Sequence, residues 1–318
     1  MEYAKPDGSY TNYRIPGLVL TGRESLLACC ECRCDASDWA TIDLSVRRST
    51  DRGASWEETL LIRGNGGTVN NPMLTVNGDT VLFMYCVGYR QLFVCKSTDD
   101  GKTFSEPRQI RGVFEEGGFF YNAVAIGPGH GIVKDGMLLI PVWFAHSHEN
   151  PQDHRPSTIA TIYSADGGDT WHLGETIGKD MLNNPSECAL AVWQGKVLMS
   201  IRHENEKRCR AFVVSNSGYS GWSEPAFFGN MPDPVCMGSM DHTADALYHV
   251  NCASTHARDH VTVKISRDCF ATYTALMVDA DNGGYADLAV DDQIFVLYER
   301  NYGQDGLYFT VLEKPDYA

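Results

Sequence analysis

Near the start of the chain the apolar and polar positions fall into four short runs: RIPGLVLT, SLLACCECR, TIDLSVRRS and EETLLIR, each bounded by turn-forming residues. Runs of this length and composition between turn signals predict antiparallel β-strands. The third run leads into STDRGASW, Ser49 to Trp56, and that octapeptide returns as STDDGKTF from Ser97 to Phe104 and SADGGDTW from Ser164 to Trp171. All three keep Ser, Asp, Gly and a final aromatic at the same offsets. Two weaker copies follow: SNSGYSGW, Ser215 to Trp222, has Ser in place of Asp, and SRDCFATY, Ser266 to Tyr273, has lost the Gly. The starts lie roughly 50 to 67 residues apart, the scale of blades or solenoid units. Ser and Asp can bond backbone amides within such a turn, Gly accepts a positive φ, and the aromatic is expected to bury itself between neighbouring units.

Five marked units and an unmarked one around GGYADLAVDDQIFVLYERN make six. Radial repetition would hide the sheet edges, so the predicted fold is an all-β, six-bladed β-propeller. A solenoid is the alternative, and the chain offers no polar capping unit for one. No Pro/Ser-rich linker, charge block or composition break interrupts the 318 residues, so residues 1–318 are expected to form a single domain.

Antiparallel order then orients the residues. If strand one of each unit runs from face A to face B, the octapeptide turns, which join strand three to strand four, all lie on face B. Starts of first strands and ends of second strands lie on face A, at the mouth of the central channel. Arg14 opens strand one of the first unit, and Arg33 ends its second strand before the loop CDASDWA with Asp35 and Asp38. In the fourth unit Glu187 opens the first strand and Arg202 closes the second. Arg258 lies in the loop THARDH of the fifth, while Tyr285 and Glu299 begin and end the first two strands of the sixth. Three guanidiniums from separate units would bind a carboxylate through planar, bidentate forks. Their mutual repulsion calls for an anion, and Glu299 is the expected partner of Arg14.

The formal charge of −15 argues against nucleic acid and against an anionic membrane surface. Any anionic substrate must be held by a local Arg cluster against the global field. Eleven cysteines in so long a chain do not resemble a disulfide framework and are expected to be mostly buried thiols. Cys30, Cys32 and Cys34 would share one face of a strand, but no CxxC pair or His cluster supports a metal site there. No segment has the apolar length to span a bilayer. The opening MEYAKPDGSY has neither a basic start nor an apolar run, which points to a cytoplasmic location unless a leader has been trimmed away.

The segments YRIP (Tyr13 to Pro16), GPGHGI (Gly127 to Ile132), NNPSECALAV, LMSIRH, GGYADLAV and LYERN, together with the repeated turn, resemble the sialidase (neuraminidase) family of glycoside hydrolases over nearly the whole chain. The resemblance implies that Arg14, Arg202 and Arg258 bind the substrate carboxylate, that Glu299 steadies Arg14 and that Arg33 reaches the sugar's 4-position. It further implies Tyr285 as nucleophile, Glu187 as its base and Asp38 as acid/base. The substrates would be sialylated glycans or free sialosides, and the reaction needs no cofactor and no metal.

The chemistry fits those roles. A sialic acid bears a carboxylate on its anomeric carbon, which would repel an Asp or Glu nucleophile, whereas a neutral Tyr made nucleophilic by a nearby Glu avoids that penalty. Asp38 would protonate the leaving oxygen and then deprotonate water, giving retention. Asp35 and Asp43 flank it, but Asp43 falls on a strand, and Trp39 beside Asp38 is expected to raise its pKa by excluding water. AHSHENPQDHRPS, Ala145 to Ser157, reads as a long face A loop whose His146, His148 and His154 either shape the pocket or face solvent. Two other functions fit the same residues: hydrolysis of a related acidic sugar such as Kdn, Kdo or another nonulosonate, and non-catalytic binding of glycan or protein by the propeller.

Overall fold

Six antiparallel sheets form a closed ring in the computed structural model, which describes residues 1–177 and 180–315. The first blade comprises Asn12–Leu20, Leu26–Arg33, Ile42–Ser49 and Glu57–Ile62, in that order from the channel outward. The second runs Val69–Asn77, Thr80–Val87, Gln91–Ser97 and Arg108–Ile110; the fourth, Cys188–Trp193, Lys196–Ile201, Cys209–Ser215 and Ala226–Pro232. In the fifth, Ser239–His242, Leu247–Cys252, Asp259–Ser266 and Thr274–Asn282 follow the same path. Contacts between inner strands of successive blades continue round to the first and sixth, so the ring is closed and the solenoid alternative falls.

Two features depart from simple repetition. The inner strand of the third blade is split: Ala123–Ile126 and Ile132–Lys134 both pair with Met137–Ala145, and between them Gly129–His130 crosses to lie parallel to Met73 and Leu74 of the second blade. This crossing is made by the GPGHGI segment. In the sixth blade Ala286–Val290, Gln293–Glu299 and Leu307–Glu313 are completed on the outside by Glu2–Ala4. The terminal ammonium of Met1 donates to the Phe309 carbonyl at 2.6 Å. Sequence pattern had no use for those first residues because three residues are too few to show alternation.

Four of the five repeated turns share one hydrogen-bonded frame, while in the fourth copy Ser215 accepts from the Gly218 amide and Ser217 from the Ser220 amide, each one residue closer. Asp51 accepts from the Ser55 amide at 2.9 Å, and Ser49 accepts from the Gly53 amide at 2.8 Å. Asp99, Asp166 and Asp268 repeat the pattern toward Thr103, Thr170 and Thr272. Gly53 has φ +87°, and a Cβ there would meet Phe309 of the sixth blade at 2.1 Å, so this glycine serves both the turn and the close approach of blades. The fifth copy keeps its frame without glycine. Phe270 takes that place at φ 64°, its amide donates to Ser266 at 2.8 Å, and its ring stacks on Phe212 of the fourth blade. Ala189 and Ala191 in the same cluster leave room for the ring.

The apolar core is divided into layers between blades. Leu27, Val46, Leu74 and Phe83 meet between the first and second, and Tyr248, Val263, Leu288 and Val296 between the fifth and sixth. Each fully buried aliphatic or aromatic side chain contributes about 1.5–3 kcal/mol through removal from water. Trp56 fulfils the expectation for the terminal aromatic, packing edge-on against Tyr3 and Phe309. The eleven cysteines are free, with only Cys34 exposed and Cys269 half-buried.

Candidate active site

At the face A mouth of the channel lies a cavity of about 200 Å³ lined by Arg14, Asp38, Glu187, Arg202, Arg258 and Tyr285 among others. Arg14 stands near the start of Asn12–Leu20, Glu187 just before Cys188–Trp193, Tyr285 just before Ala286–Val290, Arg258 just before Asp259–Ser266 and Arg202 just after Lys196–Ile201, while Asp38 lies in the loop between Leu26–Arg33 and Ile42–Ser49. The ladders hold these strand ends rigidly while leaving the side chains beyond the last pairs free to converge.

Tyr285 is the centre of the cluster. Its hydroxyl donates to Glu187 Oε1 at 2.5 Å and accepts from Arg202 Nη1 at 2.7 Å; Arg202 also pairs with Glu187 Oε2. The guanidinium carbons of Arg14, Arg258 and Arg202 lie 5.0, 5.4 and 5.9 Å from the Tyr285 ring centroid. Burial pushes the Tyr285 phenol well above its ordinary range, although Arg202, Arg258 and Arg14 pull it down. The phenol is therefore held neutral, with a carboxylate already at its proton.

Glu299 is fully buried and receives four donors: Arg14 Nε at 3.1 Å, Arg14 Nη2 at 3.3 Å, the Ile15 amide at 3.0 Å and the Tyr285 amide at 3.1 Å. One carboxylate thus fixes a guanidinium and the backbone that carries Tyr285. Gly284 makes room for it, since a Cβ there would sit 2.2 Å from Glu299 Oε2.

The three neighbouring aspartates separate cleanly. Asp43 accepts from Tyr10, Arg63 and the Gly64 amide, and Asp35 caps the Ser37 amide; neither lines the cavity. Asp38 does. Its Oδ1 accepts from Arg33 Nη1 at 2.8 Å and lies 3.9 Å from Arg14. The expected effect of Trp39 on its acidity is overturned: burial alone would raise the pKa, but Arg33 and Arg14 outweigh it and hold Asp38 below its ordinary value. Trp39 instead packs on Tyr89, with ring centroids 4.8 Å apart.

Arg33 also stands differently from expectation. Its side chain is completely buried behind Asp38, bound to Glu31 through Nε at 2.6 Å, and it does not line the cavity. Two carboxylates occupy the guanidinium that was expected to reach a sugar. Its effect here is on Asp38.

From the 145–157 loop, His154 reaches the cavity beside Trp143 and Tyr89. His146 Nδ1 donates to the Phe120 carbonyl and His148 stacks on Phe120, both away from the lining. Burial lowers the His154 pKa, which favours the neutral imidazole. Arg155, Asn184 and Glu204 were not singled out by sequence; Glu204 accepts from Arg155 Nε at 2.6 Å and from Asn184 Nδ2 at 2.8 Å. They lie on connections with no repeat signature, and only the folded loops bring them to the pocket.

Six blades with an Arg-rich channel mouth around a Tyr–Glu pair define a sialidase-type propeller. Residues 37–295 match the BNR repeat-like domain, and the chain belongs to that family of repeat-bearing, sialidase-related proteins. The sialidase of Bacteroides fragilis is 28% identical over 342 residues, which cover 92% of this chain and 61% of that protein. An exo-alpha-sialidase of Arthroderma benhamiae is 27% identical, over 93% of this chain and 80% of the relative. Among solved structures, a Hadza microbial sialidase aligns with a TM-score of 0.83 at 24% identity, over 98% of this chain and 68% of the other. Trypanosoma rangeli sialidase aligns with a TM-score of 0.77 at 18% identity, over 96% and 55%. The chain therefore spans about three fifths of the Bacteroides protein, and the structural likenesses concern the fold.

Proposed function

We propose that this chain is an exo-acting, retaining sialidase that releases terminal sialic acid from glycans through a tyrosine nucleophile. The observation that carries the reading is the 2.5 Å hydrogen bond from Tyr285 to Glu187, set among three guanidiniums from three blades. Arg14, Arg202 and Arg258 receive the carboxylate on the anomeric carbon. That carbon is then close to the Tyr285 hydroxyl, whose oxygen attacks as its proton passes to Glu187. Asp38 gives its proton to the leaving oxygen. In the second half, Asp38 takes a proton from water as the water oxygen displaces Tyr285, which recovers its own proton from Glu187.

Asp38 must hold a proton before it can donate one, and its two guanidiniums oppose this in the empty site. A bound carboxylate adds negative charge beside Arg14, which lines the cavity 3.9 Å from Asp38, and the sugar removes water. Both changes raise the Asp38 pKa toward working pH. The sialidase relatives from Bacteroides and Arthroderma support the substrate class.

The test is release of a fluorogenic leaving group from Neu5Ac, Kdn and Kdo glycosides by the purified chain, with Tyr285→Phe alongside. Turnover of the Neu5Ac substrate that is lost in the Phe variant is expected. Preference for Kdn or Kdo would redirect the substrate assignment, and no turnover of any would leave a binding propeller.

A further inference from the structure

Arg14 and Arg202 each rest against a carboxylate, whereas Arg258 forms no ion pair among the described residues. Its guanidinium lies 5.4 Å from the ring centroids of both Tyr285 and Tyr302, and Nη2 donates to the Val235 carbonyl at 3.5 Å. That leaves its charge available to a ligand. It also leaves its position dependent on the turn that presents Val235.

This turn is strained and heavily anchored. Val235 has φ +67°, a region that β-branched residues rarely enter and keep only when their surroundings enforce it. Asp233 is the enforcing group. Its Oδ1 accepts from the Val235 amide at 2.8 Å and the Cys236 amide at 3.0 Å. Its Oδ2 accepts from Arg210 Nη1 at 3.2 Å and Asn251 Nδ2 at 3.1 Å. Arg210 Nη1 returns to the Cys236 carbonyl at 2.9 Å, and Lys264 donates to the Asn251 side-chain oxygen. Asp233, Arg210, Asn251 and Lys264 are all buried. One buried cation on this carboxylate, and a second that reaches it through Asn251, is an arrangement a purely structural turn does not require, because an apolar filling would avoid the desolvation.

We propose that Asp233 is a positioning residue for the carboxylate site: it fixes the strained Val235 turn whose carbonyl registers Arg258 over Tyr285. The proposal rests on the function argued above, since the quantity Arg258 controls is recognition of the substrate carboxylate.

A double-mutant cycle on the fluorogenic sialoside tests it. Asp233→Ala is expected to raise KM about tenfold with little change in kcat, the pattern of lost ground-state binding, and to add less than about twofold to KM once Arg258 is Ala. Val235→Gly lets the turn relax without removing any buried group and serves where Asp233→Ala does not fold. It is expected to raise KM about threefold in the parent and to leave Arg258→Ala unchanged. If either substitution costs as much with Arg258 absent as with it present, the positioning role is overturned and the network is only scaffolding. A parent protein that cleaves no sialoside would instead overturn the functional reading, taking the proposal with it.

Discussion

The Tyr285 hydroxyl donates to Glu187 at 2.5 Å while accepting from Arg202 at 2.7 Å. A phenol kept neutral by burial thus has its proton acceptor and a cation for its developing charge in place before substrate arrives. Glu187→Gln removes the acceptor but not the shape. It should lower kcat by about 10²–10⁴-fold, with KM much less affected, because general-base assistance is felt in the transition state. Steady-state kinetics on an aryl sialoside measures both constants; unchanged kcat would remove Glu187 from the reaction.

Glu299 supports the site from beneath, and its four donors leave no place for an amide nitrogen. Glu299→Gln must therefore point an N–H at Arg14 or at the backbone of Ile15 and Tyr285. Breaking a buried pair from one side costs about 3–5 kcal/mol. A urea denaturation midpoint that falls accordingly, with a raised KM in the fraction still folded, is the expected result.

Asp38 links the acid/base role to substrate binding through charge. In the free protein Arg33 and Arg14 keep it ionised below the ordinary carboxylate pKa, despite burial. Its ionic contribution to stability is therefore present above the ordinary carboxylate pKa and lost as pH falls through the still lower folded value. Filling the site with a carboxylate ligand should move that titration upward, which ¹³C chemical shifts of the Asp38 carboxyl can follow. Asp38→Asn should cost about 10²–10⁴-fold on an alkyl-linked sialoside and much less on an aryl one, whose leaving group needs little protonation.

The propeller and its orientation were legible because Ser49, Ser97 and Ser164 begin turns whose side-chain frames are local, and because strand direction alternates along the chain. That orientation was enough to bring Arg14, Glu187, Arg202, Arg258 and Tyr285 to one mouth. Long-range relationships were not legible. Nothing local indicates that Glu2–Ala4 closes the sixth blade, or that Arg33 is taken up by Glu31 and Asp38. The Trp39 expectation failed because a neighbour in sequence was weighed without the two guanidiniums that approach Asp38 from Arg33 and Arg14. Phe270 was read as a decayed glycine, yet the adjoining blade has a compensating space that no single-repeat comparison contains.

His130 offers a test of the channel itself, outside the lining of the cavity that holds the proposed chemistry. The GPGHGI crossing carries its ring to Asp287, with Nδ1 2.9 Å from Oδ1. Asp287 also accepts from the Leu18 amide at 2.7 Å and from Ser239 at 2.5 Å, so this one carboxylate ties together strands of the first, fifth and sixth blades and the crossing from the third. Burial would lower the His130 pKa, but the attraction and hydrogen bond of Asp287 raise it to about 9. Because the folded value lies above the unfolded one, the stabilisation is complete below about pH 6.5 and is lost as pH rises through the folded pKa. The gap between the two corresponds to about 3 kcal/mol. Denaturation midpoints measured from pH 6 to pH 10 should therefore fall across this window in the parent. His130→Gln should start lower and show a markedly flatter dependence; an equally steep fall in that variant would assign the pH sensitivity to another group.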